Sequence, residues 1–121
     1  MPTISIAKGI SLAPRKVGVV AGLVRGRSVA DALVILEHTP RRAASAVSKA
    51  IKSAAANAEH NDGYKPSTLQ IVEISVTAGP RLKRFMPVAR GMAHPYQKKS
   101  SHIRVVVDGE KREVKPKKEE A

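Results

Sequence analysis

The chain has 121 residues, no cysteine, and 22 Lys and Arg against 10 Asp and Glu, a formal net charge of +12. That length makes one domain the expectation, and the missing cysteines exclude a disulfide framework and any Cys-based metal site. So large a basic excess calls for a polyanion, nucleic acid first and a membrane surface second.

No apolar run approaches the roughly 18 residues of a membrane span. The N-terminal Met1-Pro2-Thr3-Ile4 lacks the charged start and long apolar stretch of a secretory leader. A soluble protein of the reducing cytosol is therefore expected. The aromatic residues are Tyr64, Phe85 and Tyr96 alone, so the core is expected to consist of Ala, Val, Ile and Leu. Such a core supports only modest stability, which suits a chain that gains stability from a large partner.

Residues 3–8 alternate, with Ile4 and Ile6 on one face, and read as a short strand. Pro14 suits the first turn of a helix, along which Val17, Val20, Ala21 and Val24 recur at helical spacing and which Gly26 is placed to end. Gly18 and Gly22 each weaken that helix by about 1 kcal/mol relative to Ala. Ser28 can cap a second helix, with Asp31 at the capping-box position and Val29, Ala32, Leu33 and Leu36 inward. Thr39-Pro40 is expected to start the third and longest helix, which runs to about Asn61 and ends in the turn Asn61-Asp62-Gly63. Its apolar stripe is Ala43, Val47, Ile51, Ala54 and Ala58. A second stripe is polar, Lys49, Ser53, Asn57 and His60 or Asn61, and either faces RNA or caps neighbouring loops.

Residues 69–78 read as a strand with Val72, Ile74, Val76 and Ala78 on one side and Glu73, Ser75 and Thr77 on the other. Residues 102–108 read as another, with Ile103, Val105 and Val107 inward. The expectation is an α+β fold: three helices packed on one face of a small three-stranded antiparallel sheet, with a long protruding β-hairpin. Residues 1–108 form the single domain, and the charged tail 109–121, almost without apolar residues, is expected to be disordered.

The charge is concentrated inside the chain. Residues 79–104 hold seven basic residues and no acidic one. Most of them lie in the connection 79–101 between the last two strands, where an ordinary hairpin needs about 2–5 residues. The same connection holds Phe85 and Tyr96, and Pro80, Pro87 and Pro95 stiffen it. Cations for phosphates, and rings or guanidinium planes for exposed bases, are what RNA recognition needs. A merely solvated basic loop accounts for the charge but leaves Phe85, Met86, Val88, Met92 and Tyr96 exposed without purpose. The expected shape is a two-stranded finger, marginal alone in water. The candidate RNA contacts here are Arg81, Lys83, Arg84, Arg90, His94, Tyr96, Lys98, Lys99, His102 and Arg104. Arg15, Lys16, Arg25 and Arg27 around the first helix join them, as do Lys49, Asn57 and Asn61 of the third.

Other chemistry finds no support. His38, His60, His94 and His102 are too dispersed for a ligand spacing. No Asp or Glu lies between Glu73 and Asp108 to pair with His94 or His102 as acid and base. No enzyme, cofactor, metal or small-molecule substrate is expected. The alternative is an architectural DNA-binding protein with a basic β-arm, although no dimer interface that would present two arms is evident. A membrane-active helix would need large apolar side chains, where the long helix offers mainly Ala.

Several segments carry a resemblance: Pro14-Arg15-Lys16-Val17, Leu23-Val24-Arg25-Gly26-Arg27, Ser53-Ala54-Ala55-Ala56-Asn57-Ala58-Glu59-His60-Asn61, Gly79-Pro80-Arg81-Leu82-Lys83-Arg84, Met86-Pro87, Ala89-Arg90-Gly91 and Ser101-His102-Ile103-Arg104-Val105-Val106-Val107. In order and spacing the chain resembles the bacterial-type large-subunit ribosomal protein L-twenty-two family over roughly residues 4–108. The resemblance implies a globular domain near the mouth of the polypeptide exit tunnel, bound to 23S rRNA and beside other large-subunit proteins. It implies a hairpin of about residues 76–103 that runs inward between rRNA helices. The tip (Val88, Ala89, Arg90, Gly91 and Met92) would then form part of the tunnel wall along the nascent polypeptide. It further implies a role in subunit assembly and a place in the cytoplasm, in the ribosome. Two positions of the tip depart from the family: Val88 stands where a basic residue is usual and Met92 where another is frequent. Ala13 stands where the family often has a Ser cap.

Overall fold

The computed structural model describes residues 3–110. In chain order the elements are β1 (Thr3–Ile10), α1 (Pro14–Val24), α2 (Val29–Glu37), α3 (Arg42–His60), β2 (Gln70–Ala78), β3 (Leu82–Pro87), β4 (Ala93–Lys98) and β5 (Ser101–Asp108). Two sheets result: a three-stranded antiparallel sheet in the order β1-β5-β2, and a two-stranded ribbon of β3 and β4. The helices pack on one face of the larger sheet, so the expected α+β architecture with a protruding hairpin is the one observed.

β5 occupies the centre, apolar on its inner face and mixed on its outer one, where Val106 lies among His102 and Arg104. Ile103, Val105 and Val107 point into the core, as their alternation indicated, and Val106 is buried on the opposite side. β1 and β2 flank it as edges; alternation sets Ile4 and Ile6 on one face of β1, as observed, but misplaces Val72 in β2. In β1 the inward residues are Thr3 and Ser5, while Ile6 is 54 % exposed on the open face with Ile4. The reason lies in α3, whose alanine-rich side approaches β1 closely and leaves room only for small residues. Ser5 Oγ donates to Ser53 Oγ at 3.2 Å, and the Thr3 hydroxyl donates to the Asp62 carboxylate, so the inward hydroxyls are satisfied.

In β2 a bulge sets Val72 and Glu73 against one partner, Val106. Ile71 and Ile74 are therefore buried, and Val72, expected on the face of Ile74, is 58 % exposed. The outer edge of β2 is covered by the α1–α2 connection: Ile71 N donates to Arg27 O at 2.9 Å, Val29 N to Leu69 O at 3.0 Å, and the Arg25 guanidinium to Ile74 O at 2.9 Å. An edge so paired cannot recruit a further strand.

α1 buries Val17, Val20, Ala21 and Val24, and α2 buries Val29, Ala32 and Leu36, with Leu33 half-buried. The Ser28 cap forms, its Oγ accepting from Asp31 N at 3.3 Å. Thr39 does not start α3. Its N–H donates to Leu36 O and its hydroxyl to Ile35 O at 2.7 Å, so it closes α2, and α3 begins at Arg42. The buried stripe of α3 also takes in Ala44 and Ala50, because this helix touches α1, α2, β1 and β5 and needs a wider apolar face than one neighbour would demand.

Tyr64 corrects the expectation of a core without aromatics: it is 1 % exposed, among the core residues, with its hydroxyl hydrogen-bonded to the Asp108 carboxylate. Beyond Asp108, Gly109 N donates to Asp108 Oδ1 at 2.8 Å, Glu110 N to Thr68 Oγ1 at 3.0 Å, and Lys65 N to Glu110 O at 2.8 Å. The rest of the expected tail lies outside the described residues.

Two features bear on stability. α1 starts at Ala13 with no side-chain cap, and a Cβ at Gly22 would meet nothing within 4 Å. Ala13→Ser and Gly22→Ala should each raise the unfolding free energy by about 1 kcal/mol, read from the urea midpoint at constant slope. Burial first, and then the Asp108 charge and hydrogen bond, push the Tyr64 phenol above its ordinary value of 10.0. The folded state therefore keeps this proton longer than the unfolded chain does. Its contribution is intact below the unfolded value near 10 and is lost as pH rises through the folded one. Wild type should lose stability over that alkaline range more steeply than Tyr64→Phe, and parallel curves would refute this.

Candidate nucleic-acid interface

The ribbon is built by alternation without a core. Residues directly opposed across an antiparallel pair share a face, and the register Leu82–Lys98, Arg84–Tyr96, Met86–His94 defines one face. Lys83–Gln97, Phe85–Pro95 and Pro87–Ala93 define the other. Every residue of β3 and β4 is exposed. Phe85, the only phenylalanine of the chain, is 72 % exposed opposite Pro95. Both strands are edges, which is why Pro87 and Pro95 are tolerated.

At the tip, Val88 N donates to Met92 O at 2.8 Å and encloses a turn at Ala89–Gly91. Arg90 and Gly91 both have positive φ, 62° and 71°. Gly91 adopts this freely, whereas Arg90 does so against the steric preference of an L residue. The guanidinium of Arg90 stands exposed at the end of the finger, flanked by Val88 and Met92, neither of which carries charge.

The other cations flagged by the sequence divide into those turned to solvent and those with an internal partner. Arg15 and Lys16 are exposed in the first turn of α1. Arg25 is tied to β2. Arg27 Nε donates to Leu23 O at 3.0 Å. Arg104 pairs with Glu73 at 3.2 Å on the open sheet face, and such exposed pairs contribute little. On the ribbon, Arg81 donates to Gln97 Oε1 at 3.2 Å and Arg84 to Lys83 O at 2.9 Å, while Lys83, Lys98 and Lys99 are exposed. His102 is half-buried, its Nδ1 accepting from Gly9 N at 3.1 Å.

The polar stripe of α3 splits. Ser53 is bound to Ser5, and Asn61 caps the helix, its N–H donating to Asn57 O at 2.9 Å. Asn57 is half-buried. Lys49 is exposed, and with Arg42 it lines a groove of about 450 Å³ between α3 and β1. Neither Arg42 nor Lys8, which lies in β1 and lines a cleft at the ribbon's root, carries any local signal in the sequence. Their positions become visible only once β1 is paired. Among the described residues no group of three or more His, Cys, Asp or Glu could hold a metal ion, and no helix is long and apolar enough to cross a membrane.

Comparison with known proteins adds a family. The profile of ribosomal protein L22p/L17e matches residues 5–108. The large ribosomal subunit protein uL22 of Desulforamulus reducens is 50% identical over 107 residues, covering 88% of this chain and 95% of that protein. The protein of the same name from Lactobacillus helveticus is 50% identical over 101 residues, 84% of this chain and 86% of that one. That of Clostridium tetani is 48% identical over 103 residues, 85% and 93%.

A test of the ribbon's anchorage concerns Gly79. A Cβ there would lie 2.7 Å from Ser100 Oγ and 3.2 Å from His102 Cε1, displacing the hydroxyl that donates to Pro80 O at 2.6 Å. Gly79→Ala should speed hydrogen exchange at the Gly79 amide and at the amides of β3 and β4. The melting temperature should stay close to that of wild type, because no core residue is touched.

Proposed function

The chain belongs to the ribosomal protein L22p/L17e family, and from that premise we propose that it is a structural constituent of the large ribosomal subunit that binds 23S rRNA and supports subunit assembly. The family is structural, and the chain is not an enzyme. In this reading the globular domain holds the protein on the RNA near the exit tunnel. The ribbon reaches inward between rRNA helices, and Val88, Ala89, Arg90, Gly91 and Met92 line part of the tunnel along the nascent polypeptide. Its partners are large-subunit rRNA, neighbouring ribosomal proteins and the nascent chain, and its place is the cytoplasm, in the ribosome.

The observation that carries this reading is the ribbon itself: two strands with every side chain exposed, rich in cations and free of carboxylates, with a phenylalanine and a tyrosine presented outward. A two-stranded hairpin has marginal stability alone, so such a finger needs a partner that neutralises charge and covers rings along its length, and folded RNA does both. Arg15, Lys16, Lys49, Asn57, Asn61, Lys83, Arg90, His94, Tyr96, Lys98 and Lys99 are the contacts this reading favours. Arg25, Arg27, Arg81, Arg84, Arg104 and His102 join them with part of their hydrogen-bonding capacity committed inside the protein. Family membership sets aside the architectural DNA-binding alternative.

Tagged protein should stay with the large subunit in a high-salt sucrose gradient of lysate, and release from the ribosome to track with DNA would refute the proposal. With purified rRNA, affinity should fall steeply with salt as counterions are released. Arg84→Ala and Arg90→Ala should each weaken binding and lower the salt slope by about one unit for every phosphate left without its cation. An unchanged slope removes that residue from the contact set.

A further inference from the structure

The two sheets meet at a joint that the backbone holds weakly. Pairing of β2 with β5 ends at Ala78 and Ser101, and pairing of β3 with β4 begins at Leu82 and Lys98. Gly79, Pro80 and Arg81 cross the gap on one side, but only Lys99 and Ser100 on the other, so the ladder cannot run through in register. Pro80 has no amide hydrogen to offer it. Gly79 N donates to Ser100 O at 2.9 Å and Ser100 Oγ to Pro80 O at 2.6 Å, and the Arg81 guanidinium reaches across to Gln97 Oε1 at 3.2 Å. With every ribbon side chain exposed, the direction of the ribbon is decided here.

A cleft of about 480 Å³ opens beside this joint. The globular domain supplies one wall with Lys8, Ser11 and His102, and the root of the ribbon supplies the other with Leu82, Lys98 and Lys99. The three lysines are exposed, and among the described residues no acidic side chain lines the cleft. Among the described residues, none of the three is in an ion pair. Like charges gathered in this way repel one another until an anion sits among them.

We propose that the cleft is a phosphate seat: one phosphodiester group of the bound RNA sits between Lys8 of the sheet and Lys98 of the ribbon, so that RNA binding also sets the ribbon's direction. This rests on the ribosomal reading above. Ammonium groups on flexible stems suit a phosphate whose orientation the protein does not dictate, and each donates charge-assisted hydrogen bonds to its oxygens. Ser11 adds a hydroxyl to the same cleft. Because the two lysines stand on opposite sides of the joint, a single shared anion restrains a motion that two separate anions would leave free.

The test is a double-mutant cycle on the full chain, measuring affinity for transcribed 23S rRNA over a range of potassium chloride concentrations. The variants are Lys8→Ala, Lys98→Ala and the pair, with melting curves confirming that all fold. A shared phosphate predicts that the pair lowers the salt slope by about one unit rather than two. The fold-losses of the single variants then do not multiply to that of the pair, whereas those of Lys8→Ala and Arg90→Ala, far apart, do. A drop of about two units means two separate phosphates and overturns the shared seat, as does an unchanged slope. Inorganic phosphate alone, followed by the amide shifts of Gly9 and Lys99, provides the other arm. Saturable phosphate binding with an unchanged RNA slope makes the cleft a free-anion site and overturns the RNA assignment. A wild-type chain without salt-dependent affinity overturns the ribosomal reading, and the cleft with it.

Discussion

Hydrogen bonding of β5 on both edges is the constraint on which the rest depends. Its ladders to β1 and β2 join the chain's last strand to its first two and make the sheet wide enough for three helices to cover. Being central, β5 buries Ile103, Val105 and Val107 on its inner face and Val106 on the other. The ribbon begins where the β2–β5 pairing stops, so the same pairing that closes the core also aims the finger. With the outer edge of β2 covered by residues from Arg25 to Val29, the sheet grows no further on that side, and the ribbon leaves it as a separate element.

The distribution of aromatic residues shows two different uses. Tyr64 is spent inside, with its hydroxyl held by Asp108. Phe85 and Tyr96 stand outside on a ribbon that buries nothing. The core is otherwise aliphatic and rich in alanine, which allows close helix–sheet approach but removes little apolar area per residue from water. A fold of this kind has modest intrinsic stability and is well served by a partner that binds only the folded state. The exposed rings, packed against no core, offer such a partner a surface to cover.

The cations are likewise of two kinds. Arg25 donates to a backbone carbonyl of β2 and Arg104 faces Glu73, so both already have a partner within the protein, Arg104 a solvent-exposed one. Lys8, Lys49, Lys83, Lys98 and Lys99 project into solvent from several different elements and a connecting segment. A formal charge of +12 spread over so small a surface raises self-repulsion in the free chain. The same repulsion at the root of the ribbon is what a bound polyanion would relieve.

What the sequence determined by itself was whatever depends on near neighbours. The α+β class, the helix faces of Val17, Val20, Ala21 and Val24, the Ser28 cap, the inward side of β5 and the long basic hairpin were all legible, because they follow from periodicity, capping chemistry and local charge. The family resemblance was legible for the same reason, being carried by short motifs in order. Only the tertiary structure decided which face of β1 turns inward. Alternation marks two faces without ranking them, and the close approach of α3 admits Thr3 and Ser5 but not Ile4 or Ile6. It likewise decided the bulge that turns Val72 outward, the burial of Tyr64, the use of Thr39 to close α2, and the placing of Lys8 and Lys98, 90 positions apart in the chain, along one cleft. Each of these depends on a partner distant in sequence, whose proximity is created by the pairing of strands and cannot be read from the residues on either side.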